Sequence, residues 1–241
     1  SFRVLEVLLA SARVGAIVCP ANWRWSPAEI AFTLDDFDPK LTFWQEAEIG
    51  EANRTARAAW KPDSHWICHD GCNGADDYEA LLAAADPEAE FAPVETGTPL
   101  LAIYTAAFSG RPGAALLSHE SLLIIAWLAM MSQAIDETSG YLVSGPMFHL
   151  GVLMGSLGTF LAGGRNAFVA RVDAVELLEN IQNHRLTHAF VPQPTIVQMR
   201  EVNKDGTYDV SSLFADAAMS DYRTVMVMPP HSPARRKMGD Y

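Results

Sequence analysis

The stretch from Ile103 to Ser121, IYTAAFSGRPGAALLSHES, has the layout of a phosphate-binding turn. An apolar run leads into small residues, then Gly-Arg-Pro-Gly, then a second apolar run. A phosphate cradle needs converging backbone N–H groups, small residues that let the anion approach, and a cation or hydroxyls to complete it. Thr105 and Ser109 offer hydroxyls, Gly110 and Gly113 permit unusual backbone angles, and Arg111 supplies charge. The spacing is not G-x4-G-K-[ST], so this is not the common P-loop, and spacing alone leaves a plain hairpin turn open.

Two other stretches hold chemistry-bearing residues. His149 follows Phe148 in Gly-Pro-Met-Phe-His-Leu-Gly; a lone His on an apolar segment is ordinarily a packed core residue. His65, Cys68, His69 and Cys72 lie within eight residues, which raises zinc. On a strand, however, Cys68 and His69 point to opposite faces, so a strand ending in an Asp-Gly turn is the preferred reading. No G-x-S-x-G occurs, so a hydrolase nucleophile elbow is excluded. His119, just after Ser118, reads as a helix-start residue rather than a base.

The composition narrows the class. Over 241 residues, 49% are apolar and 19% charged, which fits a folded chain with a substantial core. A net charge of -12 argues against a nucleic-acid backbone binder, which needs a basic face, yet leaves room for a local anion site. Three cysteines form no disulfide framework at this length and suit a reducing compartment, so a cytoplasmic protein is expected. Arg3, Glu6 and Arg13 interrupt the first apolar stretch, against a signal peptide. The run Leu122–Met131 is too short for a bilayer and suits a buried core helix, so no membrane span is expected. Gly151-x3-Gly155 reads as close packing against a sheet.

Helical and strand patterns alternate along the chain. Leu5, Leu8, Leu9 and Ala12 share a helical face that Gly15 can end, and AIVCP reads as a short buried strand. Ser26-Pro27-Ala28-Glu29 is a capped helix start running to about Asp36, and LTFW begins a strand after Asp38-Pro39. Helices are expected at 78–85, 121–133 and 150–161. Another, capped by Asp173 and Glu176, carries Val175, Leu177, Leu178 and Ile181. Strands are expected at WIC, LLAIYT, AALL, YLVS, NAFVA, THAFV and TVMVM. This alternation predicts an α/β fold. The acidic stretch 85–98 reads as a linker, dividing a first αβ segment (1–98) from a second (99–241).

Taken together, the residues resemble the adenylate-forming superfamily, the AMP-forming acyl-CoA synthetases and their relatives. Tyr104–Ala114 followed by Ser118-His119 is similar to that family's Y-T-S-G-T-T-G-x-P-K-G loop, strand and (T/S)-H helix start. Gly145–Gly151 resembles its P-x-F-H-x-x-G segment. The run from Leu161 to Thr195 resembles its LxxGG…D…TH…PT stretch, and the run from Leu8 to Phe43 its early KAGA…SPEE…PK stretch. Four motifs in the family's order, covering most of residues 1–200, carry the resemblance.

The resemblance implies layered αβ subdomains of that family's large N-terminal domain, here incomplete. It implies an AMP-forming ligase acting on a fatty acid or related carboxylate, with ATP, Mg²⁺ and CoA. Thr105 would contact ATP phosphates or their Mg²⁺. Ser109, Gly110, Arg111 and Gly113 would complete the nucleotide loop. His149 would be the catalytic residue between acyl and nucleotide pockets, with Phe148, Pro194 and Thr195 lining the acid's tunnel. A homodimer is compatible with the sequence. The departures are Ala106, Ala107 and Phe108 in the loop, and Gly113 where the family carries Lys. The downstream Y-G-x-T-E motif and the lid lysine are not in the sequence, so a fragment inactive by itself is expected. A non-catalytic binding relative and an acyl-AMP ligase serving a carrier protein are the alternatives.

Overall fold

The computed structural model describes residues 1–47, 49–58, 65–71, 76–105, 111–213 and 224–226, and divides into two compact units. One unit runs from Ala21 to Ala92; the other joins Ser1–Pro20 to Pro93–Tyr241.

In the smaller unit, α2 (Pro27–Phe37) starts as its sequence requires. Ser26 caps the Glu29 amide, the Glu29 carboxylate reaches back to the Ser26 amide, and Pro27 opens the first turn. β1 (Leu41–Trp44) then pairs in parallel with β2 (His65–Cys68). Leu34, Ala56 of α3 (Gly50–Ala58) and Trp66 form the core between them. α4 (Tyr78–Ala84) follows, capped by the Asp77 side chain.

The larger unit begins with α1 (Arg3–Val14), closed by Gly15 at φ +70°. The stretch AIVCP does not become a strand: only Val18 bridges Leu101, with both backbone bonds at 2.8 Å. Pro20 cannot donate to a ladder, and Ile17 remains 38% exposed, so nothing extends the pairing. β3 (Pro99–Tyr104) and β4 (Ala114–Ser118) form an antiparallel pair. Ser118 caps α5 (His119–Gln133), and His119 is the first residue of that helix.

A four-stranded sheet holds the rest, in the order β6 (Arg165–Phe168), β5 (Gly140–Val143), β7 (His188–Pro192), β8 (Thr224–Met226). The first three are parallel and β8 is antiparallel to β7. β5 is buried along its whole length, as expected of a strand covered on both faces. Tyr141 and Val143 enter a core with α1, β3, α5 and α6 (Leu150–Leu161). Leu142 enters the opposite core with α7 (Ala174–His184) and α8 (Gln193–Val202). β5 is therefore covered on both faces.

Two glycines set the spacing of that layer. A Cβ on Gly155 would stand 2.3 Å from the Tyr141 ring, and one on Gly158 would stand 3.0 Å from the Ala126 carbonyl. Gly155 thus packs α6 against the sheet, as the sequence suggested, and Gly158 packs it against α5, whereas a Cβ on Gly151 would meet Phe190 only in ordinary contact at 3.8 Å. The expectation of a fully buried α5 is corrected. Leu122, Ala126, Ala129 and Gln133 are buried, while Leu123, Ile124, Trp127, Leu128 and Met131 are each about half exposed. No described helix is long and apolar enough to cross a membrane.

β7 is anchored through His188, which is 1% exposed. Its Nε2 lies 2.9 Å from the Gln133 carbonyl and its Nδ1 2.8 Å from the Thr187 hydroxyl. A carbonyl only accepts, so Nε2 carries the proton and Nδ1 accepts from Thr187. Burial is the largest influence and holds the imidazole below its ordinary 6.5; the Gln133 carbonyl and Asp136 oppose it. The unfolded state therefore binds a proton first as pH falls. Stability from His188 is complete above pH 6.5 and is lost as pH falls from 6.5 through the folded value. Urea unfolding between pH 8 and 5 should show this decline, and His188→Gln should flatten it.

Candidate functional site

Strand order points to a candidate site at the carboxyl ends of β5 and β7. From β5 the chain leaves through α6 to β6 on one side; from β7 it leaves through α8 toward β8 on the other. Adjacent parallel strands whose connections diverge leave a crevice at their carboxyl ends, where ligands of such sheets bind. The segments at that point are Ser144–His149, after β5, and Gln193–Thr195, opening α8. Phe148, His149, Pro194 and Thr195 therefore all stand at one edge of the sheet, although 45 residues separate His149 from Pro194 in sequence.

Local chemistry fixes the edge. The Ser144 hydroxyl donates to the Phe190 carbonyl and ties the end of β5 to β7. Gly145 is required because a Cβ there would lie 2.5 Å from Val152 and 3.3 Å from the Phe190 ring. His149 is the N-cap of α6, is exposed, and makes no side-chain cap. Its ring lies 4.6 Å from that of Phe148, tilted by 50°. α8 likewise starts at Pro192 without a side-chain cap, with Pro194 in its first turn. Two uncapped helix N-termini therefore open at neighbouring strand ends, and the partial positive charge of each favours an anionic group. Thr195 is 8% exposed and Pro194 is exposed.

The glycine-rich turn lies in the same unit, between β3 and β4. Thr105 closes it: its amide donates to the Gly113 carbonyl at 3.0 Å and its hydroxyl to the same oxygen at 3.2 Å. With its hydrogen so committed, the Thr105 oxygen keeps lone pairs for a cation. Arg111 and Gly113 are exposed, and a Cβ on Gly113 would meet nothing within 4 Å. Ser109 and Gly110 lie outside the described residues, as do Ala106, Ala107 and Phe108. Ile103, which ends near the turn, packs against the cluster that contains Met147, and Leu150 of α6 packs there too. One core thus supports both the turn and the strand-end crevice.

Two residues at the edge escaped the sequence reading, Ser144 and Gln193. The Gln193 Oε1 is buried with no protein hydrogen-bond partner. The available signal was a polar residue directly after an apolar strand run, in LVS and FVPQ.

The His/Cys cluster resolves as the Asp-Gly turn. β2 ends at Cys68, Gly71 takes φ +90°, and the Asp70 carboxylate accepts from the Glu46 and Ala47 amides at 2.8 Å. No group of metal-binding side chains occurs among the described residues, and Cys72 lies outside them. Cys68 is disulfide-bonded, a correction to the expected reduced thiols, and a bonded sulfur is no metal ligand. Cys19 is free, but burial pushes its thiol up to about 11, so it is no ready nucleophile.

The AMP-binding enzyme family model matches residues 1–234. The chain is 30% identical over 224 residues to the indoleacetate–CoA ligase of Aromatoleum aromaticum, covering 88% of this chain and 42% of that protein. It is 29% identical over 199 residues to a feruloyl-CoA synthase of Amycolatopsis, covering 80% of this chain and 37% of that protein. Among solved structures, the N-terminal domain of FACL13 from Mycobacterium tuberculosis superposes with TM-score 0.75 at 22% identity, covering 88% of this chain and 52% of that one. The long-chain-fatty-acid–CoA ligase FadD1 of Archaeoglobus fulgidus gives 0.78 at 18% identity, covering 88% and 42%. The fold is that of the N-terminal domain of acyl-CoA synthetases. The chain spans less than half the length of these two curated relatives.

Proposed function

Because the chain belongs to the AMP-binding enzyme family, we propose that it supplies the phosphate turn and the acid-side wall of an AMP-forming acid–thiol ligase. The observation that carries this reading is the divergence of the chain connections from β5 and β7, which brings two uncapped helix N-termini and the Phe148–His149 pair to neighbouring strand ends. A carboxylate oxygen attacks the α-phosphorus of ATP, its bond to the bridging oxygen breaks, and pyrophosphate leaves. The thiol of CoA then attacks the acyl carbonyl and AMP leaves. The substrate is a fatty acid or a related carboxylate.

In both steps the protein's work is placement and charge stabilisation. Helix N-termini offset negative charge at the reacting carboxylate, and His149 stands at the rim to bond it or the phosphate. Thr105 and Arg111 face the phosphates from the turn. Mg²⁺ would be held through the Thr105 oxygen and would offset phosphate charge. These 241 residues are not expected to turn over alone, since they span less than half of the relatives' length.

His149 is exposed, so His149→Ala should leave the fold intact. In a full-length enzyme carrying these residues it should slow carboxylate-dependent ATP–pyrophosphate exchange about 100-fold, the usual scale for a positioned polar group at the reacting centre. An unchanged rate would remove His149 from the chemistry. A second reading, a non-catalytic acyl- or nucleotide-binding relative, is favoured by Ala106, Ala107, Phe108 and Gly113 in the turn. It predicts ATP binding without exchange.

A further inference from the structure

Beneath the parallel sheet lies a buried polar layer that the proposed reaction does not use. Asn166, Tyr141 and His188 stand in register across β6, β5 and β7. Residues in register share a face, here the face covered by α5 and α6. Tyr141 is 0% exposed and His188 1%. Two more polar residues roof the row: Ser156 of α6, 0% exposed, and Gln133 of α5, 1% exposed. Side-chain bonds to backbone carbonyls hold the frame. The Asn166 side-chain Nδ2 donates to the Ser156 carbonyl at 3.0 Å, and His188 Nε2 donates to the Gln133 carbonyl at 2.9 Å. The phenol oxygen lies against α6, 2.3 Å from where a Gly155 Cβ would stand.

Five side-chain atoms in this layer are buried without a hydrogen-bond partner in the protein: Tyr141 Oη, Ser156 Oγ, Asn166 Oδ1, and both Gln133 Oε1 and Nε2. Buried polar atoms in folded proteins find partners almost without exception, and isolated orphans are costly. Five such atoms on one face of the sheet and the two helices that cover it call for a partner that the chain itself does not supply. The set mixes donors (Tyr and Ser hydroxyls, the Gln amide nitrogen) with acceptors (the Asn and Gln oxygens). None of these side chains carries a charge. A ligand satisfying them must be small and neutral, and must both donate and accept.

We propose that this layer is an internal binding site for ordered water, bridging α5 and α6 to β5. A buried water makes roughly three hydrogen bonds, so five orphan atoms correspond to about two waters. The layer lies under the strand whose end presents Ser144 and His149, so its occupancy helps fix that end.

The hydroxyl deletions Tyr141→Phe and Ser156→Ala test this, because each removes a single oxygen and leaves the packing shape. In a hydrated layer each should lower Tm by about 2–4 °C, the scale for one lost hydrogen bond at this chain length. In a dry layer each removes an unpartnered atom, and Tm should stay the same or rise; that result overturns the proposal. NMR cross-relaxation supplies an independent readout. Long-lived water signals to the Tyr141 ring protons are expected, and their absence in the folded protein overturns the proposal too.

Discussion

Gly113→Lys should raise ATP affinity about 10–100-fold, measured by direct titration, and should raise carboxylate-dependent exchange with it in a full-length enzyme. The position accepts a side chain: a Cβ there meets nothing within 4 Å, and Gly113 is not among the glycines at positive φ. Its carbonyl, which closes the turn onto Thr105, is backbone and survives the change. The added ammonium would supply the counter-charge that the turn has only in Arg111. A hydrogen bond to a charged group contributes about 1.5–3 kcal/mol, and each 1.4 kcal/mol is tenfold in affinity. Gly113→Leu supplies the bulk without the charge and separates the two effects. If Leu matches Lys, or if neither changes affinity, the turn does not hold phosphate. Rising ionic strength should weaken the Lys variant more than the parent.

Gly155→Ala should destabilise the larger unit by about 1–3 kcal/mol, the cost of overpacking a filled core. Two effects oppose each other. Alanine is the better helix former by about 1 kcal/mol, which on an exposed face would win. Here the new methyl would stand 2.3 Å from the ring of a residue that is 0% exposed, and that ring is held between two strands and a helix. Packing therefore outweighs propensity. Gly151→Ala is the internal control, since its Cβ would lie 3.8 Å from Phe190 in ordinary contact, and it should be neutral or slightly stabilising. Urea unfolding reads both. Tyr141→Leu in the Gly155→Ala background should recover part of the loss, because residues in contact couple. A neutral Gly155→Ala would mean that α6 does not sit on β5 at this spacing.

Local signals in the sequence were read most faithfully where one residue type does one job. Ser26 and Glu29 form their reciprocal cap, Asp173 caps α7, His119 starts α5, and Gly71 takes the turn after β2. The misses have physical causes. α3 is short and polar, with too few apolar residues to show a helical period. α8 opens with Gln-Pro-Thr after a proline, which reads as a turn although proline suits the first turn of a helix. α5 is apolar all round, so its pattern announced a helix without telling which face is covered.

The site divides in the same way. Phe148-His149 and Pro194-Thr195 stood out through their motifs. Their meeting depends on β5 and β7 being neighbours, and strand order is set by crossovers and two cores that no local pattern encodes. Ser144 ties the two strands across 46 residues of sequence, and nothing near Ser144 announces Phe190. The row of Asn166, Tyr141 and His188 is of the same kind, three polar residues brought together only by register.

The most direct test of the proposed activity is ATP–pyrophosphate exchange by a full-length enzyme carrying these residues, with short, medium, long-chain and aromatic carboxylates in turn. Exchange that depends on one class of acid is the expected result, and the best acid names the substrate. Folded protein that binds ATP yet exchanges pyrophosphate with none of these acids would contradict the ligase assignment and favour the non-catalytic binding relative.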